Sequence, residues 1–416
     1  MGPGTPNAWA RERERRPDAL DLTDTNPASH GLTLPEVGEC LARAARDARH
    51  RPDPRGPRAA REALAARFGG GPEEYWLTAS TSEAYSWLFQ LLAAPGEPIA
   101  APQPSYPLLE PLAQLAGLDV RSYWTHHLDP DGWVLDGATL TAAVRPGAAS
   151  ARAVVVVSPG NPTGAFSPLG VIAEVAGTVP LIVDQVFEPF RLDAPAAAPQ
   201  PSRVGPAAGA AGFDPVGSRG SQPLGSMGPA AVAAPLDAAA ALGEPPPGCV
   251  WFVLDGVSKR LAAPGAKIGW IRVIAGASVQ PEVGEALDRV ADSYLSVSAA
   301  STAALPALLE LEGEAVRVAR HRALGNLTEL RKRWPWRVRR CEAGWVAMVD
   351  APARGPRAGD EDLATWLLRE RGLAVHPGWF YGVPGERALV LSLLGRPQAF
   401  ADAVARLVRA VAEFSD

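Results

Sequence analysis

The residues best placed to do chemistry are Gly256-Val257-Ser258-Lys259, followed by Arg260-Leu261-Ala262-Ala263-Pro264-Gly265-Ala266-Lys267-Ile268-Gly269-Trp270. An apolar run, Val250 to Leu254, leads into them as a buried strand does. A turn of small residues then delivers one lysine. A lysine at a strand end, flanked by Gly and Ser, is placed to form a Schiff base with a carbonyl compound. Taken alone, Ser-Lys in a turn is more often an ordinary solvated pair.

Other groups of the same kind of site occur earlier, in order. Leu77-Thr78-Ala79-Ser80-Thr81-Ser82-Glu83 opens a helix that continues through Trp87 and Leu91. Its hydroxyls and free N–H groups suit an anion. A plain N-cap with Glu83 as capping-box partner explains the same residues, and the two readings are compatible. Pro98 to Pro102 is a short buried strand ending in Gln103-Pro104-Ser105-Tyr106-Pro107, which presents Tyr106 as a flat face for a flat ligand. Val154 to Val157 runs into Ser158-Pro159-Gly160-Asn161-Pro162-Thr163-Gly164, and Leu181-Ile182-Val183 ends in Asp184. Pyridoxal 5'-phosphate (PLP) is the usual partner of a lysine so equipped.

These residues need a scaffold. Strands alternating with helices imply a mainly parallel sheet, with ligands at the strands' carboxyl ends. Residues 1–19 read as a flexible, Arg-rich arm, and 20–48 as the first part of a small domain, with a strand at Leu20 and a helix over 34–48. Residues 49–290 read as the large, ligand-binding domain. Within it, 194–248 is Ala, Pro, Gly and Ser with few large apolar groups, a disordered or loosely packed insertion. After Trp270 the pattern predicts helix. Residues 291–416 read as a helical connection and a smaller α+β domain, with strands at Gly344–Val349, Leu373–Gly378 and Leu389–Leu394.

Composition removes several classes. At 47% hydrophobic and 20% charged, the 416-residue chain has a soluble globular balance. A net charge of −5 without a basic stripe argues against nucleic acid. No apolar stretch is long enough to span a membrane, and the N-terminus has no signal-peptide core. The three cysteines, Cys40, Cys249 and Cys341, are far apart; they argue against a disulfide scaffold or a metal site and fit the cytoplasm.

The ordered set resembles the class I/II aminotransferase family, the fold type I PLP-dependent enzymes. Asn161-Pro162-Thr163-Gly164 and Ser258-Lys259 followed by Gly265-Ala266-Lys267-Ile268-Gly269-Trp270 carry the resemblance. It covers nearly the whole chain outside the arm and the insertion. It implies an α/β fold, with a large α/β/α domain and a smaller α+β domain, in a homodimer. It implies that Lys259 holds PLP and carries a proton, and that Asp184 pairs with the ring nitrogen. Asn161 would bond the ring oxygen and Tyr106 would stack on the ring. Ser80, Thr81, Ser82, Ser258 and Lys267 would hold the phosphate. The activity implied is ping-pong transfer of an amino group from an amino acid donor to a 2-oxo acid.

The chain departs from the family pattern at several of these positions. Lys267 stands where the family usually has Arg, losing the planar fork. Ser80 stands for Gly. Phe187 aligns with a tyrosine that donates to the ring oxygen, and His50 with the partner-subunit tyrosine that reaches the phosphate. Val390-Leu391-Ser392 aligns with the Arg-Leu-Ser that clamps the substrate carboxylate, and valine cannot bind one. Arg396, Arg387 and Asn26 are the candidate substrate contacts. The missing clamp leaves two rivals open. One is another fold type I reaction (decarboxylation, elimination or oxidation), the other a non-catalytic PLP-binding relative.

Overall fold

The computed structural model describes residues 7–145, 150–192, 238–295, 297–352, 359–383 and 387–415. An eight-stranded sheet carries the site. Its spatial order is Tyr75–Thr78, Gly269–Ala275, Val250–Gly256, Leu181–Asp184, Val154–Val157, Pro98–Gln103, Asp119–Leu128, Gly132–Leu135. From Val250–Gly256 to Asp119–Leu128 the strands run parallel. Gly269–Ala275 is antiparallel to both its neighbours, and Gly132–Leu135 closes a hairpin at the far edge.

Layers on both faces explain why the central strands Val154–Val157, Leu181–Asp184 and Val250–Gly256 are mostly apolar. Val155, Ile182, Phe252 and Leu254 face one layer, which includes Trp87 and Leu88 of helix Thr81–Leu92 and Leu287 of helix Gln280–Tyr294. Val154, Val156, Leu181, Val183, Trp251 and Val253 face the other, with Leu169 and Ile172 of helix Leu169–Ala176. The chain leaves Pro98–Gln103 toward Asp119–Leu128, then returns to Val154–Val157 on the other side. Such a switch opens a crevice beyond the strands' carboxyl ends.

A smaller antiparallel sheet joins Val346–Asp350, Ala388–Ser392 and His376–Pro377. Leu20–Asp21 pairs in parallel with Leu373–Ala374 beside it. Leu389 and Leu391 bury their side chains with Leu327, Leu367 and Leu407 from three helices, Glu312–Arg333, Asp360–Arg371 and Pro397–Ser415. No helix among the described residues is long and apolar enough to cross a membrane.

Four expectations differ from the structure. The supposed arm contains a helix, Ala8–Arg15, capped by the Asn7 side chain, which accepts from the Ala10 N–H at 2.7 Å. Trp9 is buried there, edge-on to His376 and Phe380 at 5.1 and 5.5 Å. One large aromatic outweighs the polar run around it, and Arg13 pairs with Asp21. Helix Pro35–Asp47 joins Leu64, Tyr75 and Trp270 through Val37, and Leu305 of helix Ala299–Leu309 shares that cluster. The expected boundaries at 48 and 290 therefore cut through one packed unit. Of the stretch 194–248, residues 194–237 lie outside the described residues, but 238–248 are ordered. Ala238 is buried and donates its N–H to Gln185 Oε1 at 2.9 Å, at the start of helix Ala238–Leu242. Finally, Gly269–Ala275 is a strand rather than the start of a helix; Ile271, Val273 and Ile274 are β-branched and pair in the sheet.

Candidate active site

Lys259 lies in a single helical turn, Val257–Arg260, at the end of the fully buried strand Val250–Gly256. Gly256 is required by space. A Cβ there would lie 2.9 Å from the Ile268 carbonyl oxygen and 3.2 Å from Gly269 Cα. The turn is anchored by Arg260, itself 2% exposed. Its guanidinium reaches Asp255 Oδ2 at 2.7 Å, Glu312 Oε1 at 2.6 Å and Glu188 Oε2 at 3.5 Å. Arg67 holds the other Glu312 oxygen at 2.8 Å. With its neighbour fixed in this way, the Lys259 amine sits 5.1 Å from the Trp345 ring centroid and 5.4 Å from that of Phe187. Burial lowers its proton affinity, against the pull of Asp184. A less basic amine is the better nucleophile at neutral pH.

Asp184 ends the adjacent strand and is buried. Its Oδ2 accepts from the Tyr85 hydroxyl at 3.1 Å and its Oδ1 from the Val186 N–H at 3.2 Å. Burial pushes its carboxyl up to about 6, although both bonds and the Lys259 charge favour the ionised form. Tyr85 is absent from the sequence-based set. The only hint is one hydroxyl on the apolar face of the Thr81–Leu92 helix.

The Ser80 stretch forms the helix N-cap that one of its two readings expects. Ser80 Oγ accepts from the Glu83 N–H at 3.2 Å, a plain N-cap, and Glu83 Oε2 reaches one residue past the cap to accept from the Ala79 N–H at 2.5 Å. Thr81 and Ser82 then open the helix, where N–H groups lack intrahelical acceptors. Lys267 acts on the Glu83 carboxyl by its charge, which brings a cation to this helix end. Burial still raises that carboxyl overall. The backbone at Lys267 is left-handed, φ 53°. A Cβ on Gly269 would lie 3.0 Å from the Ser80 carbonyl carbon and 3.2 Å from the Thr81 nitrogen, so glycine lets the strand meet the helix start. Ser258 is partly buried beside the lysine.

Asn161 sits in the turn after Val154–Val157, closed by N–H bonds from Gly160 to the Ala165 carbonyl and from Gly164 to the Gly160 carbonyl, each 2.8 Å. Its Oδ1 is buried with no hydrogen-bond partner among the described residues. The Gly164 carbonyl accepts from Glu342 and Ala343 N–H groups at 3.1 and 2.9 Å, which ties this turn to the chain entering Val346–Asp350. Tyr106 is 48% exposed just beyond Pro98–Gln103. Phe187 is buried edge-on to Trp345 at 5.6 Å. The Trp345 indole N–H is also buried without a partner among the described residues.

The remaining candidates are more dispersed. His50 is exposed between helices Pro35–Asp47 and Arg58–Phe68. Asn26 is exposed, and its side chain accepts from the Ala28 N–H at 3.1 Å. Arg396 is exposed and lines a crevice with Asp24, His30 and Ser392. Val390 packs with Val346, Met348, Tyr381 and Val383. Arg387 corrects its assignment. Alternation puts it on the Leu389 and Leu391 face, opposite Val390. Its guanidinium donates to the Pro352 carbonyl at 2.8 Å and lies over Phe414 at 5.6 Å.

The sheet thus sets a buried carboxylate, Asp184, and a lysine, Lys259, at the ends of adjacent parallel strands of an α/β fold. The family described as aminotransferase class I and II matches residues 20–393, and the chain belongs to it. The chain is similar to aspartate/prephenate aminotransferase of Thermus thermophilus, 26% identical over 89% of this chain and 86% of that one. It is 26% identical to S-alkyl-thiohydroximate lyase of Arabidopsis thaliana, over 58% of this chain and 43% of that protein. It is 31% identical to histidinol-phosphate aminotransferase of Rubrobacter xylanophilus, over 43% and 50%. The chain thus spans half or less of the length of these last two relatives. In structure it resembles alanine aminotransferase from Pyrococcus furiosus, with a TM-score of 0.76 and 20% identity over 97% of this chain and 95% of that one. That likeness shows the fold.

Proposed function

We propose that the chain is a PLP-dependent aminotransferase, passing an amino group from an amino acid donor to a 2-oxo acid by ping-pong exchange. The observation that carries this is Asp184, a buried carboxylate held by two donors and facing a lysine of lowered basicity. A buried anion without a full counter-charge is costly, and a protonated ring nitrogen supplies that charge. The unpartnered Asn161 Oδ1 and the helix end at Ser80 to Ser82 support the same ligand.

When bound, PLP supplies a carbonyl for Schiff-base formation and a ring that accepts electrons. Lys259 is the nucleophile and then the base that moves a proton between the two carbons that exchange it. Asp184 keeps the ring nitrogen protonated. The Asn161 amide fixes the ring oxygen, unaided at position 187, where Phe187 has no hydroxyl. Thr81, Ser82, Ser258 and Lys267 hold the phosphate, and Tyr106 covers the ring face. The reading includes a homodimer in which His50 of one protomer reaches its partner's site, the division between a large PLP-binding unit and a smaller C-terminal unit, and a cytoplasmic location. Cys40, Cys249 and Cys341 form no disulfide with one another.

Elimination is the second reading, favoured by the relative described as a lyase. One experiment separates the two. Borohydride treatment should fix PLP on Lys259, and Lys259→Ala should lose that adduct. Amino acid donors should then convert the bound cofactor to its amine form and release a 2-oxo acid. An adduct on another lysine sinks the site; turnover that never generates the amine form favours elimination.

A further inference from the structure

We infer that Tyr85 is a positioning residue that keeps the proton of the Asp184–cofactor pair on the ring nitrogen. This rests on the reading of Asp184 above and goes beyond it. Tyr85 is 3% exposed within the apolar layer formed by Trp87, Leu88, Phe89, Ile182 and Leu254, with Phe89 at 5.8 Å between ring centroids. A hydroxyl buried there costs free energy unless it is bonded. Its one hydrogen bond among the described residues goes to Asp184 Oδ2 at 3.1 Å. The other phenol nearby, Tyr123, donates to the Val155 carbonyl at 2.8 Å, so it does not compete for the carboxylate. A leucine or phenylalanine would fill the Tyr85 volume without the polar cost. The hydroxyl therefore serves the carboxylate.

The geometry says what that service is. An ionised carboxylate offers about four lone-pair sites. The Val186 N–H takes one on Oδ1 and Tyr85 one on Oδ2, which fixes the plane of the group and leaves a site on each oxygen for a ring N–H. A donor that stays neutral stabilises the ionised carboxylate and makes it a weaker competitor for the shared proton. The Tyr85 hydroxyl is such a donor, because burial and the Asp184 charge hold its proton on well above the usual phenol range. The proton thus rests on the ring nitrogen, where it makes the ring accept electrons.

The test uses enzyme reconstituted with PLP labelled with ¹⁵N in the ring. In the parent the nitrogen resonance should lie at the protonated position. In Tyr85→Phe it should move toward neutral pyridine, with kcat lower by roughly ten-fold or more, as for a lost hydrogen bond to a charged group, and KM little changed. A site-specific 3-fluorotyrosine at position 85 keeps the shape but is a stronger donor. It should shift the resonance the other way, and it tests the inference even if Tyr85→Phe does not fold. An unmoved nitrogen resonance in a folded, loaded variant overturns the inference while leaving the reading of the site intact. A parent that takes up no PLP overturns that reading and this inference with it.

Discussion

Arg260→Met should be among the most damaging single changes outside the reacting groups. Arg260, Asp255, Glu188 and Glu312 are each less than 4% exposed, and the guanidinium touches all three carboxylates within 3.5 Å. Methionine fills much of the same volume but removes the cation that the three acids share, while Arg67 still holds Glu312. Breaking a buried ion pair from one side costs about 3–5 kcal/mol. The loss has a pH signature. Burial pushes the Asp255 carboxyl up to about 7, even with Arg260 pulling it down. A carboxyl raised above its unfolded value, about 3.9, supports the fold fully below that value. That support is lost as pH rises through about 7. Removing the cation pushes Asp255 higher still. The penalty should therefore be clearly larger at pH 8 than at pH 5.5, where a protonated Asp255 no longer needs its partner. The assay is the urea midpoint of PLP-loaded parent and variant at both pH values. An unchanged midpoint at pH 8, or a larger penalty at pH 5.5 than at pH 8, refutes the reasoning.

Two further outcomes follow from the same geometry. Asp184, held up at about 6 by burial, loses its favourable contribution to the PLP-free fold as pH rises through 6. A cationic ring nitrogen offsets that loss, so the gap between thermal midpoints with and without PLP should widen from pH 5 to pH 8; a constant gap counts against the pairing. Gly164→Ala should cost about 1–3 kcal/mol and weaken PLP retention by shifting the Asn161 turn. The backbone there has φ +65°, and a Cβ would lie 2.6 Å from both the Ala343 carbonyl oxygen and Cys341 Sγ. Gly170→Ala, with nothing within 4 Å of the added Cβ and a helical position, is the control and should be neutral or stabilising on thermal denaturation.

The parts of this molecule legible from the chain are those whose cause is local. Val154–Val157 and Val250–Gly256 lie inside the sheet, so they are apolar up to Val157 and Leu254, and the turn residues follow directly. What stayed hidden is set by partners far away in sequence. Asp184 owes its second donor to Tyr85, 99 residues earlier. The lysine turn owes its anchor to Glu312, 52 residues beyond Arg260. Trp345, the ring nearest the lysine amine, arrives from the strand segment that the Gly164 carbonyl ties down. Nor does composition predict structure where one contact outweighs it, as Trp9 does for an Arg-rich helix and the Gln185–Ala238 bond does at the end of a low-complexity stretch. This division has a physical consequence. The groups named by local motifs are Lys259, Asp184 and Asn161. Tyr85 bonds Asp184, Arg260 anchors the lysine turn and the Gly164 carbonyl ties down the Asn161 turn, and no local pattern announces any of these contacts. Val390 belongs to the same category. Its apolar neighbours Val346, Met348 and Tyr381 come from two other segments, and together they make a wall that packs valine well and would have to open to admit an arginine. The apolar character of position 390 is thus a property of a whole packed cluster rather than of one position.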